Sequence, residues 1–220
     1  MSWPAVSSKR GLRRRELKGI HLFTIDDVLS TAEADAFVAA AEKLGFQHHG
    51  SLGPSKGEAF RDNDRISLHS QALADQLWNA GLAALFDGIE SNGRIATGLN
   101  PNIRFYRYNQ GQRFGQHVDE SVEIDADHAT EYTLLIYLNS GMAIKSKKGA
   151  RDSQLVGGET VFYTGRNKAI GKRYLQVVPV SGMALLHLHG DECMLHEAKT
   201  VRRGVKYVLR SDVVFSKRRE

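Results

Sequence analysis

Tyr106-Arg107-Tyr108-Asn109-Gln110-Gly111-Gln112-Arg113-Phe114-Gly115-Gln116-His117-Val118-Asp119 is the stretch on which the reading of this chain turns. It opens at the end of a run rich in β-branched and aromatic residues, Ile103 to Tyr108, and closes on His117 and Asp119. If His117 to Asp119 is extended, positions i and i+2 project from one face, so the imidazole and the carboxylate reach one point in space. A third donor cannot be local on one flat strand. A lone histidine returns in Leu195-His196-Glu197, and Lys206 follows it ten residues later. Two nitrogens and one carboxylate match the facial set that holds ferrous iron and leaves positions open for substrate and O₂. The tripeptide alone is weak, because a surface histidine beside an acid reads the same way.

Outward from this stretch the texture is that of β-sheet. Short runs rich in β-branched and aromatic residues follow at Glu131 to Leu138, Glu159 to Tyr163, Leu175 to Val180, Ala184 to His189 and Lys206 to Phe215. Their spacing, divided by Gly-containing turns, predicts a barrel or double-sheet jelly roll with helices packed on one outer face, an α+β architecture on a β core. Two helices are predicted before it. Leu29 to Gly45 starts with a capping box, Ser30-Thr31-Ala32-Glu33, and places Phe37, Ala41 and Leu44 at helical spacing. Ser70 to Phe86 puts Leu73, Leu77, Ala80, Ala84 and Leu85 on one face, weakened by Gly81. Gly141 to Val156, with Lys145, Lys147, Lys148, Arg151 and Asp152, is the most polar internal stretch and is expected to be an exposed loop.

Composition bounds the rest. At 220 residues and 41% hydrophobic the chain has enough apolar material for one sizeable core. Its longest apolar runs, Tyr132 to Leu138 and Met183 to Leu188, fall far short of the roughly 20 residues of a membrane helix. The first ten residues lack an apolar signal-peptide region, so an intracellular place, cytoplasmic or nuclear, is expected. Cys193 is the one cysteine, which excludes an internal disulfide. Lys9 to Lys18 holds six basic residues against Glu16, and the net charge is +5. Residues 1–18 therefore read as a basic, flexible tail, and 19–220 as a single domain with helical support over 19–100 and a jelly-roll core over 101–220. A nucleic-acid partner is not expected, since the strands lack the repeated aromatic and Lys/Arg pattern of a stacking platform.

The ordered set formed by Tyr106 to Asp119, then Gly157-Gly158-Glu159-Thr160-Val161-Phe162, Leu195-His196-Glu197 and Gly204-Val205-Lys206-Tyr207 resembles the Fe(II)/2-oxoglutarate-dependent dioxygenases, in their prolyl 4-hydroxylase-like branch. The resemblance covers Asn102 to Phe215 and implies a double-stranded β-helix fold. It implies that His117, Asp119 and His196 are the catalytic iron ligands and that Lys206 binds the far carboxylate of 2-oxoglutarate. Tyr108 and Thr160 are then hydroxyls that help hold the co-substrate. The implied oxidoreductase uses O₂, releases succinate and CO₂, is supported by L-ascorbate (vitamin C) and hydroxylates a C–H bond of a protein or peptide side chain. A carboxylate at Asp119 favours hydroxylation, since halogenating relatives carry a small residue there.

Other features read more plainly. His187-Leu188-His189 with Cys193 and His196 suggests zinc, but the spacing is not that of well-known zinc modules, so His187 and His189 are expected in the wall around the ligands. Phe60 to Arg65 reads as a charged loop that could also offer substrate-facing arginines, and Arg210 shares the Lys206 face if its strand is regular. Collagen-type relatives carry tryptophan after their lysine and again six residues after it, where this chain has Tyr207 and Asp212, so the resemblance stops short of proline as the target. The alternative from another class is a non-catalytic metal-binding jelly-roll sensor or ligand-binding protein. The oligomeric state has no signature in the sequence.

Overall fold

The strand Lys206–Lys217 organises the molecule: it pairs antiparallel with His128–Tyr137 on one side and with Asn102–Tyr108 and Arg94–Leu99 on the other. This is a computed structural model that describes residues 3–51, 59–141, 155–165 and 173–218. Along this strand side chains alternate between two faces. Leu209, Val213 and Phe215 join a core cluster with Phe37, Leu77, Phe86 and Phe105, between sheet and helices. Lys206, Val208 and Arg210 face the other way, into a cavity. Asn102–Tyr108 behaves alike, with Ile103 and Phe105 toward the helices and Tyr106 and Tyr108 toward the cavity.

The sheet continues through Arg61–His69, Arg113–His117, His196–Ala198, Thr160–Gly165 and Arg173–Val177 at one end, and through Ala184–Leu188, Leu22–Ile25 and Arg14–Glu16 at the other. All pairs among these strands are antiparallel. It curls into the jelly-roll half-barrel that the strand spacing predicts, and a hydrogen bond of 2.7 Å between Tyr137 Oη and Thr160 Oγ1 ties its two halves across the interior.

The first helix, α1 (Thr31–Leu44), has the predicted Ser30–Glu33 capping box and ends at Gly45. The second is shorter than its periodicity suggests. Regular helix α2 (Gln71–Leu77) passes into a π turn and a 3-10 turn, because Gly81 takes φ 142°. A Cβ there would meet Lys9 O at 2.9 Å, so the glycine lets the N-terminal segment lie against the helix end, where Lys9 N donates to Ala80 O at 2.6 Å.

Three expectations are corrected. Residues 3–18 are not a solvated tail: Trp3 stacks on Phe105 at 4.7 Å between centroids, Lys9 pairs with Glu33 at 2.6 Å, and Arg14–Glu16 adds a strand to the sheet. Charge counting missed this because Trp3 and Val6, ahead of the cations, and Leu12, among them, pack against the core. The segment 19–100 is more than helical support, since Gln47–Gly50, Arg61–His69 and Arg94–Leu99 are strands. Phe60 to Arg65 accordingly leads into a nine-residue strand rather than forming a loop. Lys145, Lys147, Lys148, Arg151 and Asp152 of the expected exposed loop lie outside the described residues. Among the described residues, no helix is long and apolar enough to cross a membrane.

Docking of the N-terminal segment predicts that Trp3→Ala lowers stability by about 2 kcal/mol, below the ~3–5 kcal/mol of a fully buried tryptophan. Urea unfolding measures it, and an unchanged midpoint would show that the stacking contributes nothing.

Candidate active site

His117 and His196 are direct cross-strand partners, the last residue of Arg113–His117 opposite the first of His196–Ala198. Asp119 lies just beyond the strand end and is held by its own backbone: Gly190 N donates to its carbonyl at 2.9 Å, and its N–H donates to Cys193 Sγ at 3.2 Å. His117 Nε2 is then 3.8 Å from Asp119 Oδ1, and His196 Nε2 is 3.8 Å from Asp119 Oδ2. The donor atoms of the three residues lie within 4.8 Å of one another.

The donor set fits a divalent metal. His117 Nδ1 faces Gly115 O at 2.8 Å, and His196 Nδ1 faces Met194 O at 2.9 Å. A carbonyl only accepts, so each ring carries its proton on Nδ1. Burial, with His196 alongside, pushes His117 down to about 4, and burial lowers His196 as well, so both rings are neutral at pH 7 and offer an Nε2 lone pair. Burial works against ionisation of Asp119, but Arg210 and the surrounding histidines hold its carboxyl well below the usual range.

Asp119 is held in place by a buried polar chain. Thr133 Oγ1 donates to Asp119 Oδ2 at 2.7 Å, and His189 Nε2 lies 2.8 Å from the same hydroxyl. Arg210 Nη2 is 3.2 Å from Asp119 Oδ2 and 3.3 Å from Asp212 Oδ1, so this arginine points inward. His187 and His189 are buried in the wall, as expected. Phe114 stacks on the His117 ring at 3.8 Å between centroids and fixes its tilt.

Lys206 sits in the same cavity, behind apolar walls formed by Leu135, Val208 and Tyr106. It is only 2% exposed, with Nζ 2.6 Å from Gly158 O. Among the described residues no carboxylate lies within ion-pair distance of it, and burial lowers it to about 7. Gly158 has φ 71°, and a Cβ on it would approach Lys206 Cδ at 3.1 Å, so the glycine makes room for the lysine. Tyr108 and Thr160 line the cavity too, and Lys206 Nζ lies 5.4 Å from the Tyr108 ring centroid. Thr160 is already bonded to Tyr137, so the two hydroxyls form a pair. The arrangement suits a small dianion that bridges a metal and a buried cation.

All six residues singled out from the sequence thus line one cavity. Thr133, Leu135, Phe114 and Ala198 were not anticipated; alternation along Glu131 to Leu138 assigns Thr133 and Leu135 to one face but does not say what that face meets. Tyr207 lies outside the cavity, its hydroxyl bonded to Glu42 of α1 at 2.6 Å. Its departure from tryptophan therefore bears on outer packing. Asp212 is buried and paired with Arg210.

A jelly roll that gathers two imidazoles and a carboxylate beside a buried cation defines a metal-dependent enzyme with an anionic co-substrate. Residues 103–211 match the family model of the 2OG-Fe(II) oxygenase superfamily; the chain carries that domain and is a 2-oxoglutarate/Fe(II)-dependent oxygenase. Among curated proteins none matches the chain. Solved structures are similar in fold. A viral collagen prolyl hydroxylase from Paramecium bursaria Chlorella virus-1, in complex with 2OG, has TM-score 0.55 at 18% identity over 90% of this chain and 97% of that one. A prolyl hydroxylase from Trichoplax adhaerens, in complex with a hypoxia inducible factor peptide fragment, has TM-score 0.59 at 17% identity over 90% and 84%. The epimerase SnoN of nogalamycin biosynthesis has TM-score 0.54 at 13% identity over 90% and 78%.

The buried lysine predicts a trade of stability for function. Its folded-state value near 7 lies below the unfolded value near 10.5, so it destabilises the fold fully below pH 7, and the penalty fades as pH rises toward 10.5. Lys206→Met should stabilise the free protein at pH 6 by on the order of a few kcal/mol, with the gain shrinking above pH 7. Chemical unfolding across this range measures it, and a gain that grows with pH would contradict the assignment.

Proposed function

We propose that this enzyme hydroxylates a C–H bond of a protein or peptide side chain, with His117, Asp119 and His196 holding Fe(II) and Lys206 pairing with the far carboxylate of 2-oxoglutarate. The observation that carries the reading is the pairing of proton-free Nε2 atoms and an ionised carboxylate with a buried lysine that has no carboxylate partner among the described residues, all in the same cavity. When bound, ferrous iron supplies the centre at which O₂ is activated and 2-oxoglutarate is decarboxylated to succinate and CO₂. The chain's own residues do the positioning. Lys206 fixes one end of the co-substrate, Tyr108 and the Thr160–Tyr137 pair present hydroxyls near it, and Leu135 and Val208 exclude water along its length. Thr133 and Arg210 keep Asp119 ionised and aimed. L-ascorbate serves as the reductant that keeps the iron ferrous.

A peptide substrate is supported by the peptide carried by the Trichoplax neighbour and by the exposed, apolar Val118 and Leu195 beside the ligands. SnoN shows that the same fold also serves other chemistry.

Purified protein given Fe(II), 2-oxoglutarate and ascorbate should release succinate slowly without a prime substrate. His117→Ala should lose both iron and succinate, whereas Lys206→Ala should keep iron and need about 10- to 100-fold more 2-oxoglutarate, the cost of leaving a buried carboxylate unpaired. Absence of both 2-oxoglutarate binding and succinate from iron-loaded protein would sink the reading.

The low value of Lys206 also predicts a pH dependence. The co-substrate binds to the ammonium form, so above about pH 7 binding must take up a proton. Affinity for 2-oxoglutarate should fall up to about tenfold per pH unit there. Calorimetry at pH 8 in buffers of different ionisation enthalpy would detect the uptake; pH-independent affinity from 7 to 9 would contradict it.

A further inference from the structure

Two groups beside the metal donors are unused by the oxygenase chemistry. His187, on Ala184–Leu188, is 1% exposed, and its Nε2 has no hydrogen-bond partner, although a buried imidazole nitrogen is costly to leave unpaired. That atom is 3.6 Å from Asp119 Oδ2, at the metal donors. Its other nitrogen, Nδ1, lies 3.9 Å from Cys193 Sγ and 3.3 Å from Leu188 O. Cys193 follows the short turn Gly190–Glu192, and its sulfur accepts the N–H of Asp119. Donor atoms of His187, Cys193 and His196 lie within 4.8 Å of one another.

We propose that His187, Cys193 and His196 form a second metal site, whose one-sulfur, two-nitrogen donor set selects zinc over iron. Soft and borderline ions favour thiolate and imidazole, and ferrous iron in this fold class sits with nitrogen and oxygen. With metal–sulfur and metal–nitrogen bonds of about 2.3 and 2.0 Å, tetrahedral donors stand roughly 3.3–3.6 Å apart, so the 3.9 Å between Cys193 Sγ and His187 Nδ1 needs only a small contraction. On binding, the Cys193 S–H bond breaks, its proton leaves to solvent and the sulfur–metal bond forms. His187 ligates as the tautomer with its proton on Nε2, 3.6 Å from Asp119 Oδ2, which leaves the Nδ1 lone pair for the metal. No oxidant or reductant is involved. One exogenous ligand completes the tetrahedron.

His196 belongs to both donor sets. It cannot serve two ions through one Nε2, so zinc in the second site removes a ligand from the first. This consequence rests on the reading of His196 as an iron ligand, and it makes the oxygenase sensitive to the balance of zinc and iron.

Cobalt(II) is a spectroscopic stand-in for zinc. Full-length His117→Ala protein keeps the second set whole while removing a donor from the first. One equivalent of Co(II) should give it intense sulfur-to-cobalt charge-transfer absorption, lost on adding Zn(II), absent when Cys193→Ser is added and weakened by His187→Phe. Absence of that band at saturating Co(II), or a band insensitive to Cys193→Ser, overturns the site. Circular dichroism checks that each variant folds. In the otherwise unaltered chain, which needs no second substitution, Cys193→Ser should weaken Zn(II) binding by about 10-fold or more, and equal affinity overturns the proposal. These readings use no 2-oxoglutarate, so they stand apart from the oxygenase reading. Cys193→Ser should shift zinc inhibition of succinate release to about 10-fold higher Zn(II), and an unshifted midpoint overturns the shared-ligand consequence.

Discussion

The antiparallel pairing of Arg113–His117 with His196–Ala198 is the constraint on which the site depends. It sets two histidines, distant in sequence, opposite each other as Cα partners, and each then spends its Nδ1 proton on a carbonyl two residues earlier. Because that carbonyl belongs to the same strand or its approach, the tautomer is built into the backbone path rather than left to a mobile side chain. The curl of the sheet does the remainder, bringing Lys206 and Arg210 of the central strand to face those rings across the cavity.

Ionised groups in this interior are unequally matched. Arg210 is surrounded by Asp119, Asp212 and Thr133, so its cost of burial is offset within the fold. Lys206 has one carbonyl and two tyrosine rings for company, and the fold bears the cost of burying it. A dicarboxylate would offset that cost on binding, which is differential affinity of the kind a co-substrate pocket requires. Stability is surrendered in the free protein where binding recovers it.

The outer face supplies the rigidity that this arrangement needs. Alternate residues of the central strands pack against α1 and α2, and the N-terminal segment closes the layer by stacking Trp3 on Phe105. Arg107 links Asp64 to Glu42, and Tyr207 reaches the same glutamate, so α1 is bonded to two strands whose opposite faces line the cavity. Site and support are therefore two sides of the same strands.

The identities of the candidate donors, the β character of residues from Asn102 onward and the first helix were legible in the sequence. Each rests on local chemistry: an i, i+2 pair on a strand, a capping box, runs of β-branched and aromatic residues. Period two tells which residues share a face. It does not tell which distant strand that face meets, so Thr133 beside Asp119, Phe114 on His117 and the opposition of His117 and His196 were decided by register alone. Charge counting likewise misread residues 3–18, since a few apolar side chains before and within the basic run settle where the segment packs. Whether Lys206 has a partner, and whether His187 Nε2 lacks one, are properties of closure: a buried group's neighbours come from several strands at once, and only the folded sheet brings them together.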